Sequence, residues 1–167
     1  MTITNMVEFF VHELRESFNA QKQLVGALPR MIAVARSPYL RECLETRLRV
    51  TELRVDRLTE VFISIGEFPH GRKCDAIDAC LRAGVDLLER DVSDEADDEV
   101  TDSALIAIAQ KVTYHGIAIH STLATWAQVL DFKAAGMLLE TILQEERVAA
   151  DRLAALSRLE FELPIHR

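Results

Sequence analysis

From Ala104 to Leu130 the chain reads ALIAIAQKVTYHGIAIHSTLATWAQVL, and this stretch decides the fold. Leu105, Ile106, Ile108, Ala109, Val112, Ile117, Ile119, Leu123, Trp126, Val129 and Leu130 recur at helical spacing yet go nearly all the way round the cylinder, the pattern of a helix buried on several sides. Gln110, Lys111 and His115 interrupt it well before the roughly eighteen apolar residues of a membrane span. Asp131-Phe132-Lys133 leaves little room for a loop. The next stripe, Leu138, Leu139, Ile142, Ala149, Leu153 and Leu156, should therefore fold straight back as a second long helix.

Working outward, the N-terminal half repeats the arrangement. Val7, Phe10, Val11, Leu14, Phe18, Leu24, Val25 and Leu28 form one stripe, on which Gln21 also falls. Ser37-Pro38 ends that helix and starts another, since a residue before proline avoids the α region and proline suits a first helical turn. The second stripe is Leu40, Leu44, Leu48, Thr51, Val55, Leu58, Phe62 and Ile65, stopped by Gly66 and the turn Phe68-Pro69-His70-Gly71. Cys74, Ile77, Leu81, Gly84 and Leu88 mark a shorter third helix, and the acidic run Asp91–Glu99 reads as a solvated connector, without the alternating ligands and central glycine of a calcium loop. The spacing predicts helices over 6–35, 38–66, 72–91, 100–131 and 133–160 in one domain, 1–167. The fold class is all-α: a four-helix bundle of two antiparallel hairpins with an additional short helix in the crossover, the ferritin-like layout.

Composition agrees and narrows function. Six glycines and four prolines in 167 residues are too few to punctuate a β-sandwich. Nineteen basic against twenty-seven acidic side chains give a net charge of −8, which argues against nucleic acid or an anionic membrane as partner. Cys43, Cys74 and Cys80 are odd in number and lack CxxC spacing, and Met1–Met6 lacks a basic, then apolar, leader; reduced thiols and a cytoplasmic location are expected. His115 and His120 lie five apart, not the three or four that place two ligands on one helix face, so packing is the simpler reading. The chain carries no nucleophile elbow and no glycine-rich phosphate loop.

A series of short blocks carries a family resemblance: Ala20-Gln21-Lys22-Gln23-Leu24 with Ala27-Leu28-Pro29-Arg30-Met31, Arg57-Leu58 with Val61-Phe62, Lys73-Cys74, Ala104 to Val112, Thr122-Leu123-Ala124, and Glu145-Glu146. In this order and spacing they resemble the YciE/YciF-like branch of ferritin-like proteins, small bacterial stress-associated bundles that pair as homodimers. The resemblance implies a carboxylate-rich metal site inside the bundle, and the matching positions here depart from it. Gln21 stands for a glutamate. Where the family reads E-E-T-x-x-Q-x-x-R-L, this chain has Val50 for an acid and Arg54 for the amide. Where the family continues E-H-Y-E, this chain has Thr113-Tyr114-His115-Gly116. Glu146 keeps its acid, while the aspartate one turn later becomes Ala150, with Asp151 beside it.

A divalent cation needs several anionic oxygens to offset its dehydration, so these replacements imply vestigial metal-site positions at Gln21, Val50, Arg54, Thr113, Gly116, Glu146 and Ala150, with no bound metal and no cofactor. Two functional readings stay open. One is a metal-free structural or interaction protein, non-enzymatic and stress-associated, a homodimer acting through an unnamed protein partner. The other is a reshaped metal centre using Glu146, Glu145, Glu52 and His115 for iron binding or oxidase chemistry. What replaces the ion has two readings as well: Arg54 grips Glu146 inside the bundle with two parallel hydrogen bonds and Gln21 as third member, or Arg54 snorkels to solvent while Glu146 pairs locally with Arg147 or Arg152 or stays hydrated.

Overall fold

The computed structural model describes residues 3–92 and 97–162. In chain order the helices are α1 (Met6–Val34), α2 (Pro38–Ser64), α3 (Asp75–Asp86), a π-helical turn (Leu87–Asp91), α4 (Asp98–Val129) and α5 (Lys133–Glu162), with no strand among the described residues. The acidic connector read between Asp91 and Glu99 includes residues 93–96, which lie outside the described residues, as do 1, 2 and 163–167 of the expected domain.

Local chemistry sets the boundaries. Asn5 caps α1 by accepting from the Glu8 backbone N–H at 2.9 Å, and the Glu8 carboxylate turns back to the Thr4 N–H at 2.7 Å, a variant of the capping box. Ser37 caps α2, with Pro38 in its first turn. The C-terminal ends of α2 and α4 close in the same motif. At the end of α2, Gly66 (φ 75°) donates to the Ile63 carbonyl and Glu67 to that of Phe62. At the end of α4, Asp131 (φ 59°) donates to Gln128 and Phe132 to Ala127. The third helix is shorter than its stripe predicts. Arg72 donates to the Arg15 carbonyl and Cys74 to the Asn19 side chain, which holds 72–74 extended along α1 and delays the helix to Asp75.

The buried Asp102 near the start of α4 accepts the backbone N–H groups of Arg36 and Ser37 at 2.8 and 2.6 Å, tying α4 to the α1–α2 turn. The connection from α2 to α4 therefore climbs the length of the bundle, and among the four long helices α2 and α4 run in the same direction while lateral neighbours are antiparallel. Leu24, Leu28, Leu40, Leu44, Leu105, Ile106 and Leu153 fill one end of the core. Phe10, Leu14, Leu58, Phe62, Leu123, Leu139 and Ile142 fill the other. Among the described residues no helix is long and apolar enough to cross a membrane.

Candidate functional site

Between these two apolar ends lies a polar midsection to which all four long helices contribute. α1 supplies Ser17 and Gln21; α2 supplies Arg47, Thr51 and Arg54; α4 supplies Thr113, Gly116 and His120; α5 supplies Glu146. All are buried. They stand at the bundle axis because they continue the apolar rows: Phe10, Leu14, Ser17, Gln21, Leu24, Leu28 on α1 and Leu40, Leu44, Arg47, Thr51, Arg54, Leu58 on α2 alternate steps of four and three.

Arg54 is 1% exposed and does not snorkel. Its Nη1 lies 2.8 Å from Oε1 of Glu146, which is itself fully buried, and its Nε donates to Glu145 at 3.1 Å. Arg57 holds the other oxygen of the half-buried Glu145. Arg47 approaches Glu146 from the opposite side: Nη2 is 3.5 Å from Oε2, while Nη1 donates to the Thr113 hydroxyl at 2.6 Å. That hydroxyl in turn donates a hydrogen bond to the Ala109 carbonyl, and Thr51 donates to the carbonyl of Arg47, so the threonines satisfy the helix rather than compete for the acid.

Two features differ from the expected pair. The two-pronged grip is absent, since neither Arg54 Nη1 nor either Glu146 oxygen makes a well-aligned hydrogen bond, and the contact is an ion pair shared between two arginines. The cause is spacing: Arg47 and Arg54 are two turns, about 10 Å, apart along α2, and one carboxylate placed between them offers each a single oxygen. Nor does Gln21 complete the set, because its side-chain oxygen is buried without a hydrogen-bond donor. Arg47 is the third member. Desolvation pushes its guanidinium below the ordinary arginine value, the Glu146 carboxylate pulls it back up, and Arg54 lowers it further.

Gly116 makes the arrangement sterically possible. A Cβ there would lie 2.5 Å from Glu146 Oε1, so the missing side chain on α4 is the space that the α5 carboxylate occupies. His120, completely buried, shares a hydrogen bond with the Ser17 hydroxyl through Nε2 at 2.9 Å. Burial first, and the nearby Arg54 second, pull its pKa down to about 3, so it is a neutral imidazole. The Gly116 carbonyl one turn earlier counters this weakly, but Nδ1 makes no well-formed hydrogen bond to it. His115 is separate from this group: half-buried, it faces Cys74 Sγ at 3.7 Å, and burial lowers its pKa against the pull of Glu16 and Glu146.

The residues present do not fit a pair of cations. One interior carboxylate faces two guanidiniums, and a divalent ion at the same place would meet net positive charge. The reshaped set is not assembled either, since Glu52 is exposed, Glu145 is held by Arg54 and Arg57, and His115 faces Cys74. Among the described residues no three His, Cys, Asp or Glu side chains group as ligands. Of the seven sequence-derived positions, Gln21, Arg54, Thr113, Gly116 and Glu146 lie in the midsection. Ala150 is buried one turn further along α5, and Val50 is half-buried, lining a groove between α2 and α5. Arg47 and Ser17 are the residues that sequence reasoning passed over. The four-three alternation runs through both, and reading only apolar letters steps across them.

Residues 5–162 match a protein family described as a domain of unknown function, DUF892. Over 158 residues the chain is 30% identical to the protein YciF of Escherichia coli (strain K12), covering 94% of this chain and 93% of that one. The crystal structure of the E. coli stress protein YciF matches with a TM-score of 0.90 at 30% identity, over 97% of this chain and 100% of that one. YcfI of Rhodopseudomonas palustris, described as a candidate structural protein, matches at 0.86 with 34% identity, over 91% and 94% of the two chains. A Xanthomonas campestris protein only 15% identical shares the fold, at 0.70 over 92% and 91%.

Proposed function

The chain belongs to the YciF-like DUF892 family, and from that premise we propose that it is a metal-free structural or interaction protein of stress physiology, not an enzyme. One observation carries the reading: Arg47 and Arg54 flank Glu146 on the bundle axis, so side-chain cations stand among the positions that a ferritin-like metal site would use. The description of YciF as a stress protein and of YcfI as a candidate structural protein supports the physiological half of it. Elemental analysis of protein purified without chelator or metal-affinity tag tests the rest. Iron, manganese and zinc far below one per chain are expected, and a stoichiometric metal would overturn the reading.

Self-association, as a homodimer in the cytoplasm, is part of the proposal. Its support is not the body of α4, whose apolar surface is mostly covered within its own bundle, with Trp126 against Phe9 at a ring separation of 5.1 Å. It is the set of exposed apolar side chains Ile63, Phe68, Val129 and Met137, on segments that meet at the end of the bundle where α2 and α4 terminate. Light scattering should give twice the 18.8 kDa chain mass. A concentration-independent monomer would remove this part of the proposal, and any protein partner would then have to bind a single bundle.

A further inference from the structure

Away from the bundle axis, the crossover brings together two side chains that ligate soft metals. Cys74, the residue before α3, is 1% exposed, and its Sγ lies 3.7 Å from Nε2 of the half-buried His115 on α4. The cysteine is fixed through its backbone. Its N–H donates to the Asn19 side chain at 3.0 Å, and its carbonyl accepts from Gln23 Nε2 at 3.2 Å and from the Asp78 N–H at 3.1 Å. Metal bonds of about 2.3 Å to sulfur and about 2.0 Å to nitrogen, meeting at about 120°, place the two ligand atoms about 3.7 Å apart. One ion therefore reaches both atoms without backbone movement, and a torsion of the half-buried imidazole opens the angle for an ion that prefers to be linear.

We propose that Cys74 and His115 bind one soft monovalent cation, Cu(I), which ties the crossover to α4. On binding, the thiol proton leaves to solvent while one Cu–S and one Cu–N bond form, with no change of oxidation state. Charge selects the ion. A thiolate and a neutral imidazole sum to one negative charge, which a monovalent cation cancels, whereas a divalent ion would leave a positive charge against a sulfur almost closed to water. Ligand number selects it as well, because no third His, Cys, Asp or Glu side chain joins the pair among the described residues. Glu16 acts on both groups through space but is held by Arg72 at 3.4 Å and by His12 at 3.6 Å. Sulfur and imidazole match the softness of Cu(I), and the N-terminus of α3 favours the negative sulfur. Burial pushes the Cys74 thiol up, so without an ion it keeps its proton and the contact is a weak S–H···N hydrogen bond.

The test is independent of the iron, manganese and zinc content that decides the reading of the bundle axis. Cu(I) is titrated anaerobically into the reduced full chain against bicinchoninate, a coloured Cu(I) chelator. The protein should withdraw one Cu(I) per chain, and excess Zn(II) should not displace it. Cys74→Ser should abolish the uptake. His115→Gln should weaken it at least about tenfold, the scale on which even the loss of an outer-shell partner is felt. Cys43→Ser combined with Cys80→Ser removes the other two thiols and should leave uptake unchanged. Copper K-edge X-ray absorption of the loaded wild type, which depends on no variant folding, should show one sulfur and one imidazole nitrogen. Uptake that survives Cys74→Ser, that ignores His115→Gln or that falls in the double variant would overturn the proposal. So would an absence of uptake, displacement by Zn(II) or coordination by sulfur alone.

Discussion

The two apolar ends of the bundle and the polar midsection between them are built on the same helical rows yet held together by different physics. At the ends, side chains such as Leu58, Phe62, Leu123 and Leu139 are stabilised by leaving water, a non-directional gain that tolerates volume-conserving exchange. In the midsection two guanidiniums and a carboxylate give up hydration that their mutual attraction must offset, so their value depends on all three being present. Burial at the ends adds up residue by residue, whereas the midsection behaves as one unit.

The largest expected effect breaks that unit. Glu146→Leu strands two buried arginines and should cost about 3–5 kcal/mol in urea unfolding. Arg54→Met should fall at the lower edge of that range, because Arg47 still faces Glu146 and Arg57 still holds Glu145. Replacing all three, Arg47→Met with Arg54→Met and Glu146→Leu, should recover most of the loss. Leu139→Ala should cost a comparable 2–5 kcal/mol at the apolar end with no partner substitution able to restore it. Additive losses in the triple variant would mean that the midsection is held like the ends.

Acidification should sharpen the same contrast. The unfolded chain protonates His120 near the ordinary value of about 6.5, while the folded protein refuses the proton until about pH 3. Its stabilising contribution is complete above pH 6.5 and is lost as pH falls towards 3, at up to about 1.4 kcal/mol per unit and so about 2 kcal/mol by pH 5. His115 shifts in the same direction from a half-buried position. Comparing the melting temperatures of wild type and His120→Gln between pH 7 and 5 isolates the buried ring. Parallel curves would show that His120 titrates normally.

The hairpins, the bundle and the crossover helix were legible because apolar periodicity is strong over 27 to 32 residues in each long helix. The Arg54–Glu146 contact was legible from the family resemblance, which matched Arg54 to an amide of the site and Glu146 to a surviving acid. Arg47 was not, because a hydrophobicity pattern prefers Leu48 to an arginine one position away, although Arg47 keeps the row and Leu48 is only half-buried. The Ser17–His120 hydrogen bond spans 103 positions and joins two helices, a relation that no local window contains. The short start of α3 escaped for the same reason, since it depends on Arg15 and Asn19 holding the crossover against α1.

A smaller effect is expected at Gly116, and its sign depends on the midsection. Alanine is worth up to about 1 kcal/mol over glycine inside a helix, but its Cβ would lie 2.5 Å from the Glu146 carboxylate, and overpacking typically costs about 1–3 kcal/mol. Gly116→Ala should therefore lower stability by about 1 kcal/mol in the wild-type background. With Glu146→Ala already in place it should raise stability. Denaturant midpoints of the four proteins in that cycle measure the coupling, and the same sign in both backgrounds would exclude the steric account.

The smallest expected effect is none at all, and it bears on the whole contrast. A tightly bound ion stabilises a fold by mass action, adding about 4 kcal/mol when its free concentration is a thousandfold above the dissociation constant, so its removal lowers the melting temperature by several degrees. Here Arg47 and Arg54 supply the charge that faces Glu146, and the apolar ends close without assistance. Thermal melts with and without EDTA should superimpose in wild type and in Arg54→Met alike. The second protein matters, because removing one guanidinium leaves Glu146 and Glu145 balanced by Arg47 and Arg57 instead of outnumbered, and makes that variant the more sensitive detector of cation binding. A chelator-dependent drop in wild type would mean that an ion stabilises the folded chain after all. A drop confined to Arg54→Met would mean that the arginine occupies the place of an ion that the remaining acids can still attract.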